Sequence, residues 1–211
     1  MSGKRVTRLT PDQRREQLVG IGLEMLADRS LDELSTDEVA RRAGISRGLL
    51  FHYFDSKRDF FRAVVRAACD RFTAATEPDP ALAPVPWMRA FIAGFVAYVM
   101  EHRRIYLALV RGAAGSHPAV TDILDETRET LARRVRDGQR RLGMPDAPRL
   151  DLASRAWMAF AEEAVISWPA GNGDGQDETH DDTRDELCAF VESSFVSFLG
   201  LLDRPEALDR H

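Results

Sequence analysis

Apolar positions recur at helical spacing along almost the whole chain, and no stretch shows the alternation of a half-buried strand. Thr10-Pro11-Asp12-Gln13 combines an N-cap, a proline at the first helical position and a capping-box glutamine. It predicts a helix reaching about Arg29 with Leu18, Ile21, Gly22, Met25 and Leu26 on its buried face. Ser35, three residues before Glu38, opens a short helix over about 36–43, with Val39, Ala40 and Ala43 on one face. Gly44 follows where a helix end favours positive φ, and Ser46 caps the next helix, about 47–54. Ser56 caps a longer one, reaching about Ala75 through Phe60, Phe61, Val64, Val65 and Ala68. Pro78, Pro80, Pro84 and Pro86 then rule out helix interior, so the domain boundary is placed here, giving 1–76 and 77–211. Beyond it the pattern predicts helices over about 87–101, 103–112, 118–142, 150–168 and 183–202. Gly112–Gly115, Gly143 with Pro145 and Pro148, and a polar, acidic Gly171–Asp182 loop separate the later ones. The expected fold is all-α, with about nine helices in two domains.

The 47–54 helix shows what the first domain is for. Leu50 and Phe54 stand at i and i+4 and define its buried side. Arg47, Gly48, Phe51 and His52 point elsewhere, with the Tyr53 hydroxyl at the edge. Two short helices joined by a three-residue turn containing glycine make a helix-turn-helix. Lys57 follows in the first turn of the next helix, where a cation opposes the helix dipole. That placement suits an external anion such as a phosphate.

Charge sharpens this picture. The 211 residues carry a net −5, yet residues 1–58 hold 11 Lys and Arg against 9 Asp and Glu, net +2, leaving −7 for the remainder. The mild basic excess coincides with the helix-turn-helix, and Lys4, Arg5 and Arg8 add a basic arm before the first helix. Lys4 and Lys57 are the chain's lysines. Cys69 and Cys188 read as small buried residues. The most apolar run, Phe91–Met100, is too short to cross a bilayer, and no signal peptide is apparent, so the expected location is cytoplasmic.

The run Ser35-Thr36, Val39-Ala40, Ala43-Gly44-Ile45-Ser46-Arg47-Gly48, Leu50-Phe51-His52-Tyr53-Phe54, Ser56-Lys57 and Phe60 resembles the DNA-binding signature of the TetR family of bacterial transcriptional regulators. The close resemblance covers about the first third of the chain; the remainder agrees in length and helical character. The chain departs from the family's habit at Phe51, where tyrosine is usual, and at Leu49, where a small or polar residue is common. The resemblance implies an N-terminal helix-turn-helix DNA-binding domain and a C-terminal helical ligand-binding and dimerisation domain. Residue character and resemblance together assign DNA contact to Thr36, Ser46, Arg47, Gly48, Phe51, His52, Tyr53 and Lys57. Arg47 is assigned to base edges.

In the second domain, the apolar stripe of the last helix exceeds what one small domain needs to bury. Core packing alone is one reading. The resemblance implies the other, a two-fold four-helix seam using Ala153, Leu187, Phe190, Ser194, Phe195, Phe198 and Leu202. The aromatics are core filling individually. With the resemblance they suggest a largely apolar ligand cavity lined by Trp87, Phe91, Phe95, Tyr98, Tyr106, Trp157 and Phe160. No cofactor or metal is expected, and the scattered histidines support no enzyme. The expected function is a homodimeric regulator of double-stranded operator DNA, a repressor released by a small apolar effector. The alternative is a DNA-binding protein whose second domain only dimerises.

Overall fold

The computed structural model describes residues 9–29, 31, 33–110, 120–144, 148–168 and 178–202, with the backbone alone at 148, 178–182, 201 and 202. Among them are nine helices: α1 (Pro11–Leu26), α2 (Thr36–Arg42), α3 (Arg47–Tyr53), α4 (Lys57–Ala75), α5 (Pro84–Glu101), α6 (Arg103–Val110), α7 (Thr121–Arg141), α8 (Pro148–Ser167) and α9 (Glu178–Leu202). The described residues contain no strand, as the hydrophobic period requires. None of their helices is long and apolar enough to cross a membrane.

The packing forms two compact units. One contains residues 1–70 with 104–124; the other contains 71–103 with 125–211. The first unit thus joins the N-terminal helices to α6 and the start of α7, segments distant in sequence. Its core includes Leu18, Leu34, Val39, Leu50 and Phe60, all without exposed surface. Phe54 meets Phe60 edge-on, with ring centroids 5.0 Å apart. Arg62 donates two hydrogen bonds to the Asp122 carboxylate, at 2.8 and 2.7 Å, fixing α4 to the start of α7.

Local chemistry sets the helix ends. The Thr10 hydroxyl accepts from the Gln13 amide at 3.2 Å, and the Gln13 side chain accepts from the Thr10 amide at 3.0 Å. Ser35 accepts from the Glu38 amide at 3.4 Å. The Glu38 carboxylate, which a capping box would turn back to the Ser35 amide, is held by Arg29 at 2.7 Å and Arg42 at 2.8 Å. Two guanidiniums bind an ionised carboxylate more strongly than one amide does. Gly44 takes φ +67, which lets the chain turn from α2 towards α3.

Three boundaries differ from the sequence expectation; the first is the end of α1, at Leu26 instead of about Arg29. α5 begins at Pro84, so Pro84 and Pro86 occupy its first turn rather than the connector. First-turn amides have no intrahelical partner, so proline there loses nothing. α9 begins at Glu178, inside the stretch expected to be a loop. The basic arm over residues 1–8, the Gly112–Gly115 break, the Pro118 helix start and the 171–177 part of the acidic loop lie outside the described residues.

In the second unit α5, α8 and α9 pack on one another. Phe91, Val96, Trp157, Ala161, Leu187 and Val191 form part of its interior. Arg134 donates to the Thr73 carbonyl and to the Thr76 hydroxyl, both at 2.6 Å, which ties α7 to the end of α4. Burial lowers the affinity of its guanidinium for the proton, and Glu77 opposes that shift.

Helices α1 and α4 approach closely at Gly22. A Cβ there would stand 2.6 Å from Val64 Cγ2 and 3.1 Å from Phe60 Cζ, whereas one on Gly20 would meet nothing within 4 Å. Alanine favours a helix interior over glycine by about 1 kcal/mol. Gly20→Ala is therefore expected to raise stability by up to about that amount. Gly22→Ala is expected to lower it by about 1–2 kcal/mol through overpacking. Urea unfolding measures both; a shift in the same direction would contradict the close approach.

Candidate nucleic-acid interface

The inner side of α3 is anchored by Leu50, 0 % exposed, and by Phe54 just beyond its end, 1 % exposed. The Arg15 guanidinium lies 4.8 Å above the Phe54 ring. Ser46 caps the helix by accepting from the Leu49 amide at 3.2 Å. These contacts leave Ser46, Arg47, Gly48 and His52 on the open side, with Phe51 and Tyr53 half-buried at its margins. Lys57, at the start of α4, is also exposed; its Nζ stands 4.9 Å from the Phe61 ring centre. Ser56 accepts from the Asp59 amide at 3.1 Å, which fixes the turn carrying Lys57. Seven of the eight expected DNA-contacting residues are thus exposed or half-buried around one short helix, while Thr36 is buried.

Sequence reasoning missed the charge pairing around this face. Arg47 Nη1 stands 3.3 Å from Asp37 Oδ2, and its Cζ lies 5.6 Å from the Phe51 ring centre. Leu49 is 40 % exposed, which makes it an apolar member of the open face. Arg29, and after it Arg42, holds the Glu38 carboxyl below its ordinary 4.5 through charge-assisted hydrogen bonds. No local spacing signals these pairs, except Glu38 and Arg42 at i and i+4.

The candidate ligand residues separate into small groups. Trp87 stacks with Phe91, Phe95 and Tyr98 pack on Phe72, and Trp157 meets Phe195. Phe160 is partly exposed beside Phe190, and Tyr106 belongs to the first unit. A surface cleft of about 320 Å³ lies between α7 and α8, floored by Leu131, Ala132 and Met158 and rimmed by Arg128, Glu129 and Glu162. None of the seven candidates lines it.

The candidate seam residues divide similarly. Ala153, Leu187 and Phe195 are buried within the single chain. Ser194 accepts a hydrogen bond from Trp157 Nε1 at 3.0 Å. Phe190 is exposed and Phe198 half-buried; the Leu202 side chain lies outside the described residues.

An all-α chain presenting a braced helix-turn-helix with an open cationic and polar face belongs to the helix-turn-helix class of DNA-binding proteins. Residues 21–64 match the family described as "Bacterial regulatory proteins, tetR family", and residues 86–195 match "Tetracyclin repressor-like, C-terminal domain". The chain therefore belongs to the TetR family of transcriptional regulators. The HTH-type transcriptional activator FasR of Mycolicibacterium smegmatis is 35 % identical over 71 residues, 34 % of this chain and 32 % of that protein. The HTH-type transcriptional repressor KstR2 of the same species is 31 % identical over 107 residues, 49 % of this chain and 51 % of that protein. The chain thus spans about a third of the first relative's length and about half of the second's. A TetR-family transcriptional regulator from Streptomyces coelicolor superposes with TM-score 0.68 at 25 % identity, covering 94 % of this chain and 93 % of its own. A TetR-like regulator from Rhodococcus sp. RHA1 gives 0.65 at 27 %, covering 90 % and 99 %.

The Glu38 pairing makes a pH expectation. A carboxyl whose folded pKa is depressed contributes stability that is complete above its unfolded value and is lost as pH falls through the folded value. Glu38 should therefore titrate below 4.5 in the folded protein. Arg29→Ala, which removes the largest cause, should move its midpoint upward. Carboxyl-resolved NMR titration checks this; an unchanged Glu38 midpoint in the variant would contradict the pairing.

Proposed function

We propose that the chain is a homodimeric, ligand-responsive repressor that reads double-stranded operator DNA with α3. The observation that carries this reading is the division of α3 into a buried inner side and an open face bearing Arg47, Gly48 and His52. Arg47 reads a base edge, for which guanine O6 and N7 suit a guanidinium fork. Ser46, His52, Tyr53 and Lys57 hold phosphates. Thr36 contributes through the entry to α2, since its side chain is buried. The division of labour follows the proline-run boundary, with DNA reading before about residue 77 and effector binding with dimerisation after it. Repression is favoured over activation because the match to the relative named a repressor extends further than the match to the one named an activator.

Dimerisation is supported by an apolar surface on α8 and α9. Leu152 is 66 % exposed and Val196 67 %, with Phe160 and Phe190 partly open. Large exposed apolar side chains gathered on two helices mark an interaction surface. The seam is therefore assigned to Leu152, Phe160, Phe190 and Val196, with Phe198, rather than to Ala153, Leu187 and Phe195, which fill their own core. Two such subunits would set their α3 helices roughly 34–36 Å apart, one DNA turn.

The effector site belongs to the aromatic-rich second unit, and an apolar effector suits its composition. Helices α4 and α7 each give residues to both units, so a shift of either would alter the spacing of the α3 pair. All three tryptophans, Trp87, Trp157 and Trp168, lie in the second unit and would report binding there. An apolar compound that changes their fluorescence should also lower operator affinity by about 5- to 150-fold. If compounds change the fluorescence and none changes operator affinity, the dimerisation-only alternative replaces this one.

Arg47→Ala should cost about 1–3 kcal/mol on the operator and relax selectivity at one base pair per half-site. Lys57→Ala should weaken binding evenly on all sequences and reduce the salt slope by about 1. Equal losses on operator and random duplexes for Arg47→Ala would contradict its base-reading role. For assembly, Leu152→Asp with Val196→Asp should sediment as a monomer, keep its helicity and lose operator binding. A stable dimer of that double variant would place the seam elsewhere.

A further inference from the structure

The pair formed by Asp37 and Arg47 is unusual for a surface expected to meet a polyanion. Both side chains are open to solvent, 62 % and 63 % exposed, and an exposed ion pair contributes little to folding. A carboxylate near phosphates weakens attraction to any DNA sequence. Its position is nevertheless specific: Asp37 Oδ2 lies 3.3 Å from Arg47 Nη1, while the guanidinium stands 5.6 Å from the Phe51 ring centre. The carboxylate from α2 and the ring from α3 therefore restrict the same guanidinium.

We propose that Asp37 is a positioning residue for sequence readout, holding Arg47 so that it engages a guanine edge in preference to a phosphate. This rests on the DNA-reading function proposed above. A guanidinium carries five N–H donors in one plane. Guanine O6 and N7 accept two of them in parallel, so the hydrogen directed at Asp37 is spare and the ion pair survives base contact. Two phosphate oxygens can accept a parallel pair as well, so the discrimination lies in charge and not in donor count. A phosphate approaches as a second anion beside the carboxylate and must displace Asp37 or endure its repulsion. Asp37 thus lowers affinity for arbitrary DNA while leaving the guanine contact pre-aligned.

Asp37 also lies in the first turn of α2, where any carboxylate suits the helix dipole, so the test must separate that role from positioning. The full chain and its Asp37→Asn variant are each used to select binding sites from a pool of random-sequence duplexes. Affinities for the selected and random duplexes are then measured across salt concentrations. The wild-type chain should enrich a motif with one strongly preferred guanine per half-site. Asp37→Asn should select the same motif with that position relaxed. Its operator-to-random affinity ratio should fall by about tenfold, the scale of one lost base discrimination. Its salt slope on random DNA should steepen by about 0.9, the mark of one further neutralised phosphate. Asp37→Glu, which keeps the charge, should recover most of the ratio. In an Arg47→Ala background, Asp37→Asn should leave the ratio unchanged. A merely structural Asp37 would move the melting temperature and leave the ratio alone. An unchanged motif and ratio in Asp37→Asn would overturn the inference while the DNA-reading function stands. Failure of the wild-type chain to enrich any motif would overturn both.

Discussion

A seven-residue helix cannot hold itself together in water, because nucleating the first turn costs more than so few hydrogen bonds return. The packing around α3 follows from that constraint. Leu50 and Phe54 must be fully enclosed, and α1 and α4 supply the enclosure through Leu18, Leu26, Phe60 and Val64. At Gly22 the missing side chain lets α1 approach Val64 and Phe60 of α4 closely. Since the inner side is committed to the core, the outer side is left with no packing task. Arg47, Gly48 and His52 are therefore available for a partner.

Charge is arranged on the same principle. Glu38 gathers Arg29 and Arg42 at the side of α2, while Asp122 engages Arg62 on α4. The Arg62 hydrogen bonds lower the Asp122 carboxyl to about 2, so that link stays ionised well into the acid range. Among the described residues, Arg29, Arg42 and Arg62 are thus engaged by carboxylates of the chain itself. Arg47 lies on the open face of α3 and Lys57 at the start of α4, the first near Asp37 and Phe51, the second near Phe61.

Much of this was legible in the sequence because the governing signals act within four residues. The Thr10 box, the Ser35 and Ser46 caps, Gly44 and the Leu50–Phe54 pair are all of that kind. Pro84 and Pro86 misled because a proline in a first turn and one in a connector look alike without the chain that follows. The pairing of Asp37 with Arg47 depends on how two helices cross, which periodicity does not encode. On α9 the apolar stripe is so broad that neighbouring positions are equally plausible core. A step from Phe195 to Val196 turns about 100° round the helix and passes from buried to open surface. The second unit's aromatics were readable as dense, but which rings face one another needed three dimensions.

The central claim is that the open side of α3 is the surface that meets DNA. Hydrogen exchange of the full chain, with and without a duplex selected by its own binding, tests this most directly. Slower exchange across residues 46–57, with little direct change along α5, is the result this account expects. Exchange unchanged over 46–57 and slowed instead on another surface would contradict it.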